Sequence, residues 1–158
     1  MEINFTKEIQ DAEIEIKEGS QPLRIPLTKQ TFIVWYLLNE GNTEIHDGYL
    51  QAILDRNILL IHRFYPENGE LLFLRGWMIK ISPWYFNMET DTIGDSYLRL
   101  AYKYHPDNIL YKWTQLDHER STKISVETLE VLVLNNLEKY LISYVPIQVY
   151  FGNIFRRR

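Results

Sequence analysis

Residues 57–81, NILLIHRFYPENGELLFLRGWMIKI, contain two apolar runs that are separated by the turn sequence YPENG. Pro66 presets φ at the first corner of a turn, and Asn68-Gly69 accepts the positive φ that a reversal of the chain requires. Both flanking runs are apolar enough to lie in the middle of a sheet that has the core on one face. The stretch therefore predicts an antiparallel hairpin over residues 58–81.

A second stretch has the same form. Residues 97–104 alternate between large apolar and smaller or charged side chains, the turn sequence HPDN follows, and residues 109–116 alternate again. Alternation of this kind is typical of a half-buried strand, so we expect a second proline-turn hairpin over residues 97–116. A helix over residues 96–104 is the alternative interpretation.

The remaining segments add strands and helices around these hairpins. Residues 2–17 and 23–25 are interpreted as an edge strand and a short return strand, and residues 145–151 as an edge strand because Pro146 cannot donate to a ladder. Thr28 as N-cap and Gly41 beyond the last apolar residue bound a helix near 28–40. The apolar run Phe32 to Leu38 within it has no clear periodicity, so a buried strand is the alternative. Further helices are expected at 43–54 and, from a stripe at three- and four-residue spacing, near 124–141. The predicted fold class is α+β, a mostly antiparallel sheet of five to seven strands that is covered by the helices near 28–40 and 124–141.

One segment resembles a known family. Residues 13–38, EIEIKEGSQPLRIPLTKQTFIVWYLL, place an acidic strand, a turn and a short strand before a Leu-Thr-x-x-x-Phe sequence that opens an apolar helix. This order is similar to the start of winged-helix domains of the response-regulator type, and the resemblance implies nucleic-acid binding. The candidate recognition helix, residues 125–140, departs from the pattern because it carries three glutamates and one lysine where a phosphate-facing helix is basic.

Composition limits the classes of protein that fit. The chain of 158 residues has the length of one domain, 1–158, and its lack of cysteine favours a reducing compartment such as the cytoplasm. No stretch approaches the length of a membrane span, so no membrane partner is expected. The net charge is −4, and the basic surplus of the last third comes largely from Arg156, Arg157 and Arg158. We expect these three arginines to form a mobile basic tail that contacts nucleic acid weakly at most.

Catalytic and metal-binding patterns are weak. His46-Asp47 is one possible metal-ligand pair, but it lacks partners at useful spacing, and a polar pair at a helix start explains it equally. His118 lies between Asp117 and Glu119, where a solvated charged loop is the simpler interpretation than a general base. The sequence therefore predicts no enzyme, no metal and no cofactor, with a site assembled from scattered residues as the alternative.

The best surface-site candidate is the aromatic triplet Trp84, Tyr85 and Phe86, which precedes the acidic residues Glu89 and Asp91. Aromatic anchors beside a polar rim are typical of binding hot spots, although core packing would also explain the triplet. The predicted function is a non-enzymatic module that binds another protein, of the inhibitor, immunity or adaptor type. A winged-helix-like nucleic-acid binder and an enzyme are the alternatives.

Overall fold

A computed structural model describes residues 3–42, 44–116 and 123–157 of the protein. Those residues form helices and connecting turns, and none of them lies in a strand. The helices are α1 (Phe5–Lys17), α2 (Arg24–Glu40), α3 (Asp47–Phe64), α4 (Gly69–Ile81), α5 (Thr92–Tyr104), α6 (Ile109–Thr114), α7 (Lys123–Leu134), α8 (Leu137–Tyr140) and α9 (Val145–Arg156), with a 3-10 turn at Pro83–Phe86.

The predicted α+β fold is therefore wrong, and the hairpin over 58–81 is instead a corner between α3 and α4. The chain leaves α3 at Tyr65, whose φ of −136° lies outside the helical region, because a residue before proline disfavours the α conformation. Asn68 then starts α4, since its side-chain oxygen accepts a hydrogen bond from the Leu71 backbone N–H at 3.1 Å. The turn residues were identified correctly, but they join helices.

The predicted hairpin over 97–116 is also wrong, because here too the proline turn joins two helices. His105, with φ of −133°, ends α5 before Pro106, and the Asn108 side chain caps α6 by accepting from the Tyr111 N–H at 3.1 Å. Buried positions on α5 are Gly94, Leu98 and Ala101, which recur at spacings of four and three residues, as on one helix face. The helical alternative for residues 96–104 is the correct one.

The three other predicted strands are also helical. The strand predicted at 2–17 is replaced by α1, which begins at Phe5 and which Asn4 caps through the Lys7 N–H at 3.0 Å, and the strand predicted at 23–25 lies at the start of α2. Residues 145–151 belong to α9, where Pro146 stands in the first turn. A helix needs no N–H there, so the proline that suggested a sheet edge starts a helix instead.

The three predicted helices are present with different bounds. The one predicted at 43–54 is part of α3, which begins at Asp47 and continues to Phe64. The helix near 28–40 lies within α2, which ends at Gly41 with φ of 79°. Thr28 is not its N-cap, because the helix begins at Arg24 and the Thr28 hydroxyl donates to the Arg24 carbonyl. The stretch 124–141 is helical but is interrupted between α7 and α8, at Asn135 and Asn136. That break places Leu137 in the core while Leu132 faces solvent.

The helices pack as neighbours along the chain. α1, α2 and α3 lie against one another in sequence, and α4 packs most closely against α5. That closeness depends on Gly76 and Gly94, because a Cβ on either residue would come within 2.8 Å of the backbone oxygen of the other. None of the described helices combines the length and apolar character that crossing a bilayer demands.

The aromatic residues account for much of the core. Their rings form a continuous series of contacts with centroid separations from 4.8 to 6.4 Å. α9 is central to it, since Phe151 contacts both Phe73 and Trp77 of α4 at 5.1 Å, and Tyr150 contacts Phe32 and Trp35 of α2. The C-terminal helix thereby joins the two halves of the bundle.

Candidate functional site

An apolar groove runs between α2 and α9 and is bordered by the start of α1. Its volume is about 680 Å³, within the range that ligand sites commonly show. Its lining residues carry no charge: Ile3, Phe5, Phe32, Tyr36, Val145, Pro146, Val149, Tyr150 and Asn153.

The walls of the groove follow from helical spacing. Phe32 and Tyr36 lie one turn apart on α2, and Val145 and Val149 lie one turn apart on α9, so each pair shares one helix face. The two valines are 64% and 56% exposed. Water therefore contacts a row of aliphatic side chains above an aromatic floor, which includes the edge-on contact between Tyr150 and Phe32 at 5.5 Å.

Polar groups in the groove are neutral. The Tyr150 hydroxyl oxygen accepts a hydrogen bond from the Trp77 indole N–H at 3.3 Å, and burial raises the pKa of the Tyr150 phenol. Asn153 is exposed and offers a neutral amide. An occupant of the groove would consequently meet apolar surface and uncharged hydrogen-bonding groups.

Charged residues border one side of the groove and are paired. The Lys29 ammonium makes an ion pair with Glu8 and lies 5.7 Å from the centre of the Tyr144 ring. Burial, with the nearby Glu8 carboxylate as the smaller cause, raises the pKa of Tyr144 to about 12. Tyr144 directly precedes Val145, and Lys29 lies about one turn before Phe32. Lys29 and Tyr144 therefore flank the groove without belonging to its lining.

The predicted aromatic site lies on the 3-10 turn, outside the groove lining. Trp84 is 61% exposed, whereas Tyr85 and Phe86 are half-buried. The Tyr85 hydroxyl donates to the Leu38 carbonyl at 2.6 Å, which gives that side chain a structural role. Both acidic residues, Glu89 and Asp91, are exposed. Partner binding by this segment stays a prediction.

The terminal arginines continue α9. Arg156 is its last residue and Arg157 is its C-cap, and both side chains are exposed. Arg158 lies outside the described residues. Arg156 and Arg157 therefore stand about one turn beyond Asn153, at the end of the groove.

Two of the three described histidines have local structural roles, whereas His62 is exposed on α3. The His46 ring nitrogen Nδ1 accepts from the Gly48 N–H at 3.0 Å and so caps α3, as the polar-pair interpretation expected. His105 ends α5 and contacts the Tyr111 ring, and His118 falls outside the described part of the chain. Within residues 3–42, 44–116 and 123–157, no three His, Cys, Asp or Glu side chains converge as metal ligands would.

Two polar networks, one buried and one partly buried, connect distant helices. The Glu70 carboxylate on α4 accepts from the Ser143 N–H and hydroxyl at 3.2 and 3.0 Å, and Arg24 donates to the same hydroxyl at 2.6 Å. Glu13 on α1 binds the Arg56 guanidinium of α3 through both carboxylate oxygens. These contacts hold α1, α2, α4 and the turn before α9 in place, and with them the walls of the groove.

Sequence reasoning missed the groove, although a signal for it was present. Val145 and Val149 recur at helical spacing beside Pro146, but an edge strand was expected there, so their shared face was not recognised. In comparisons with known proteins, no family model, no curated protein and no solved structure matches the chain.

Proposed function

We propose that this protein is a non-enzymatic binding module, of the adaptor, inhibitor or immunity type, that holds an apolar segment of another protein in the groove between α2 and α9. The observation that carries the proposal is the exposure of Val145 and Val149 on one wall of that concave apolar surface. Contiguous exposed apolar surface with a polar border is typical of sites for protein partners.

The shape of the groove favours a helical partner segment. Two helices form its walls, and amphipathic helices bind such grooves by placing anchors spaced three or four residues apart against the apolar lining. The rings of Phe32 and Tyr36 offer the aromatic contact area that binding hot spots use. We therefore expect a partner helix that presents two or three large aliphatic anchors.

Opposite charges lie near one end of the groove. α2 and α9 run in the same direction, since Lys29 lies near Tyr144 and Tyr36 contacts Tyr150, so the last residues of both helices are at that end. Glu40, the last residue of α2, lies one turn beyond Tyr36 and makes no ion pair with any residue that the structure describes. Arg156 and Arg157 are exposed at the end of α9. A basic residue of the partner near Glu40 and an acidic residue near the arginines would complement these charges.

The proposal includes the cytoplasm as the compartment, on the basis of a cysteine-free chain. It requires no cofactor. The nucleic-acid alternative has less support than the sequence suggested, because residues 13–38 form parts of α1 and α2 in place of the strands that the winged-helix resemblance implied.

The test is a comparison of matched charge insertions. Val149→Glu places a carboxylate in the groove, and Leu59→Glu makes the same change at a residue of α3 that is 70% exposed and outside the lining. Each tagged variant is used for affinity purification from cells of the source organism, and co-purifying proteins are quantified against wild type.

We expect one protein to be retained equally by wild type and Leu59→Glu and to fall at least about tenfold with Val149→Glu, because a desolvated unpaired charge costs more than the 1.4 kcal/mol that a tenfold change represents. Far-UV circular dichroism of each variant verifies the fold. Equal retention by the folded Val149→Glu variant would reject the groove as the binding site.

A further inference from the structure

Arg75 on α4 is a buried cation without a counter-ion. Its side chain is only 9% exposed, and its guanidinium lies over the Tyr97 ring of α5, 4.2 Å from the centroid. Within residues 3–42, 44–116 and 123–157, no hydrogen bond or ion pair to this guanidinium is present, and Nε is fully enclosed and unbonded. Burial lowers the pKa of Arg75.

Other arginines of the chain are treated differently. Arg24 and Arg56 reach carboxylates, at Glu70 and Glu13 respectively. Arg63 also lies over a ring, that of Phe64 at 5.2 Å, but it is exposed to water. Arg75 alone of these four combines burial with the lack of an anion, a combination that costs several kcal/mol in general and that proteins usually avoid by pairing the charge.

The terminal nitrogens of the guanidinium are less enclosed than Nε. Nε is enclosed, whereas the terminal nitrogens are not among the fully buried unbonded atoms, so the remaining exposure of the residue includes them. One face of the group is covered by Tyr97. A carboxylate that reached the terminal nitrogens in the plane of the guanidinium would meet the geometry that paired N–H donors require.

We propose that Arg75 and Tyr97 form a binding site for a carboxylate. Two parallel hydrogen bonds from a planar guanidinium match a carboxylate, and one cation balances one negative charge. A phosphate dianion would need a second cation, but Lys80, the next basic residue along α4, is already paired with Asp95 at 2.8 Å. This site is separate from the groove, and the inference does not depend on the proposed function.

The experiment observes the arginine side chain directly. Nitrogen-15-labelled full-length protein is titrated with sodium acetate at constant ionic strength against sodium chloride, and the Nε–H signals of the arginines are followed by NMR. Arg75→Met assigns the signal and Arg63→Met is the matched control, since it removes one positive charge and one arginine–ring contact at an exposed position.

We expect the Arg75 signal to shift along a saturating curve while the Arg63 signal does not. Acetate should likewise raise the thermal midpoint of wild type and Arg63→Met, but not that of Arg75→Met, in excess of chloride. An Arg75 signal that is unaffected, or that moves linearly together with the Arg63 signal, would overturn the site. A stronger saturable response to inorganic phosphate than to acetate would overturn its assignment to carboxylates.

The source of the carboxylate is distinguished by a second probe. The blocked peptide N-acetyl-Gly-Glu-Gly-amide presents the same group on a protein-like side chain. A saturating Arg75 shift with both acetate and this peptide supports an acidic side chain of a partner protein as the ligand. A shift with acetate and none with the peptide supports a small free carboxylate.

Discussion

Glu70 and Glu13 differ in the direction in which the fold shifts their acidity. Burial raises the pKa of Glu70, and its hydrogen bonds to Ser143 only partly offset that effect. The hydrogen bond from Arg56 is the largest cause that lowers the pKa of Glu13. Ionisation of Glu70 thus destabilises the folded state, whereas ionisation of Glu13 stabilises it. The contributions of the two residues to the free energy of unfolding therefore depend on pH with opposite signs.

This contrast predicts opposite pH profiles for two matched variants. The ionised form of Glu70 is disfavoured in the folded state, so its contribution to stability is largest below its unfolded pKa near 4.5 and is lost as the pH rises through the higher folded value. The free energy of unfolding of wild type minus that of Glu70→Gln should therefore decrease as the pH rises above about 4.5.

The same difference taken with Glu13→Gln should instead decrease as the pH falls below 4.5 through the lowered folded pKa, because protonation breaks the contact with Arg56. Urea unfolding of the three proteins over a pH series measures both slopes. Parallel profiles for the two variants would show that the environments of these carboxylates are not those described.

The interruption at Asn135 and Asn136 predicts unequal effects for two leucines of one apolar stripe. Leu137→Ala removes a buried side chain and should cost about 2–5 kcal/mol. Leu132→Ala truncates a side chain that is 47% exposed and should change stability by about 0.5 kcal/mol or less. Chemical denaturation of both variants provides the comparison, and a larger loss at Leu132 would indicate one continuous helix that buries it.

At the scale of the helices, the corners at Pro66 and Pro106 show what the sequence can and cannot specify. Proline ends one helix and asparagine caps the next, so both residues mark a boundary whichever elements they join. The nature of the elements depends on packing across the chain, as between Gly76 and Gly94, and that contact is not visible in local periodicity. Chain reversals were therefore predictable, but their secondary structure was not.

The assignment of an apolar run to helix or strand depends on the residues that flank it. For the run Phe32 to Leu38, Thr28 and Gly41 indicate helix ends, and the helical prediction is correct although the helix begins before Thr28. Residues 145–151 contain Pro146, which is compatible with a sheet edge and with the first turn of a helix. The predicted edge strand is wrong because these residues begin α9. One wall of the groove is formed by α9, so a prediction that places a strand at residues 145–151 cannot also predict the groove.

Two glycines in different surroundings should respond in opposite ways to replacement by alanine. Gly94 lies in the contact between α4 and α5, and Gly152 lies on α9. A Cβ at Gly94 would lie 2.7 Å from the Gly76 carbonyl oxygen, so Gly94→Ala should separate the helices and cost about 1–3 kcal/mol. At Gly152 of α9 the nearest atom is the mobile end of Arg156 at 3.4 Å, so Gly152→Ala should be neutral or stabilising by up to about 1 kcal/mol through helix propensity. Thermal and urea unfolding test both, and a neutral Gly94→Ala would contradict the close approach.

In the whole molecule, α9 has two faces with different roles. Its inner face, with Phe151 and Phe155, is buried among the rings of the core, while its outer face presents Val145 and Val149 to water beside α2. The inner face explains why the helix remains in place without a partner. Stability does not explain why this outer face is apolar, and the face is the basis for the proposed binding function.

Photo-crosslinking in cells of the source organism tests that function most directly. A photoreactive amino acid replaces Val149 in one version of the protein, Leu59 in a second and Trp84 in a third, so that the groove, a control surface and the aromatic turn are compared. The groove account predicts one crosslinked protein from position 149 and none from position 59. The absence of a crosslink at 149, or the same protein crosslinked from 84 and not from 149, would contradict it.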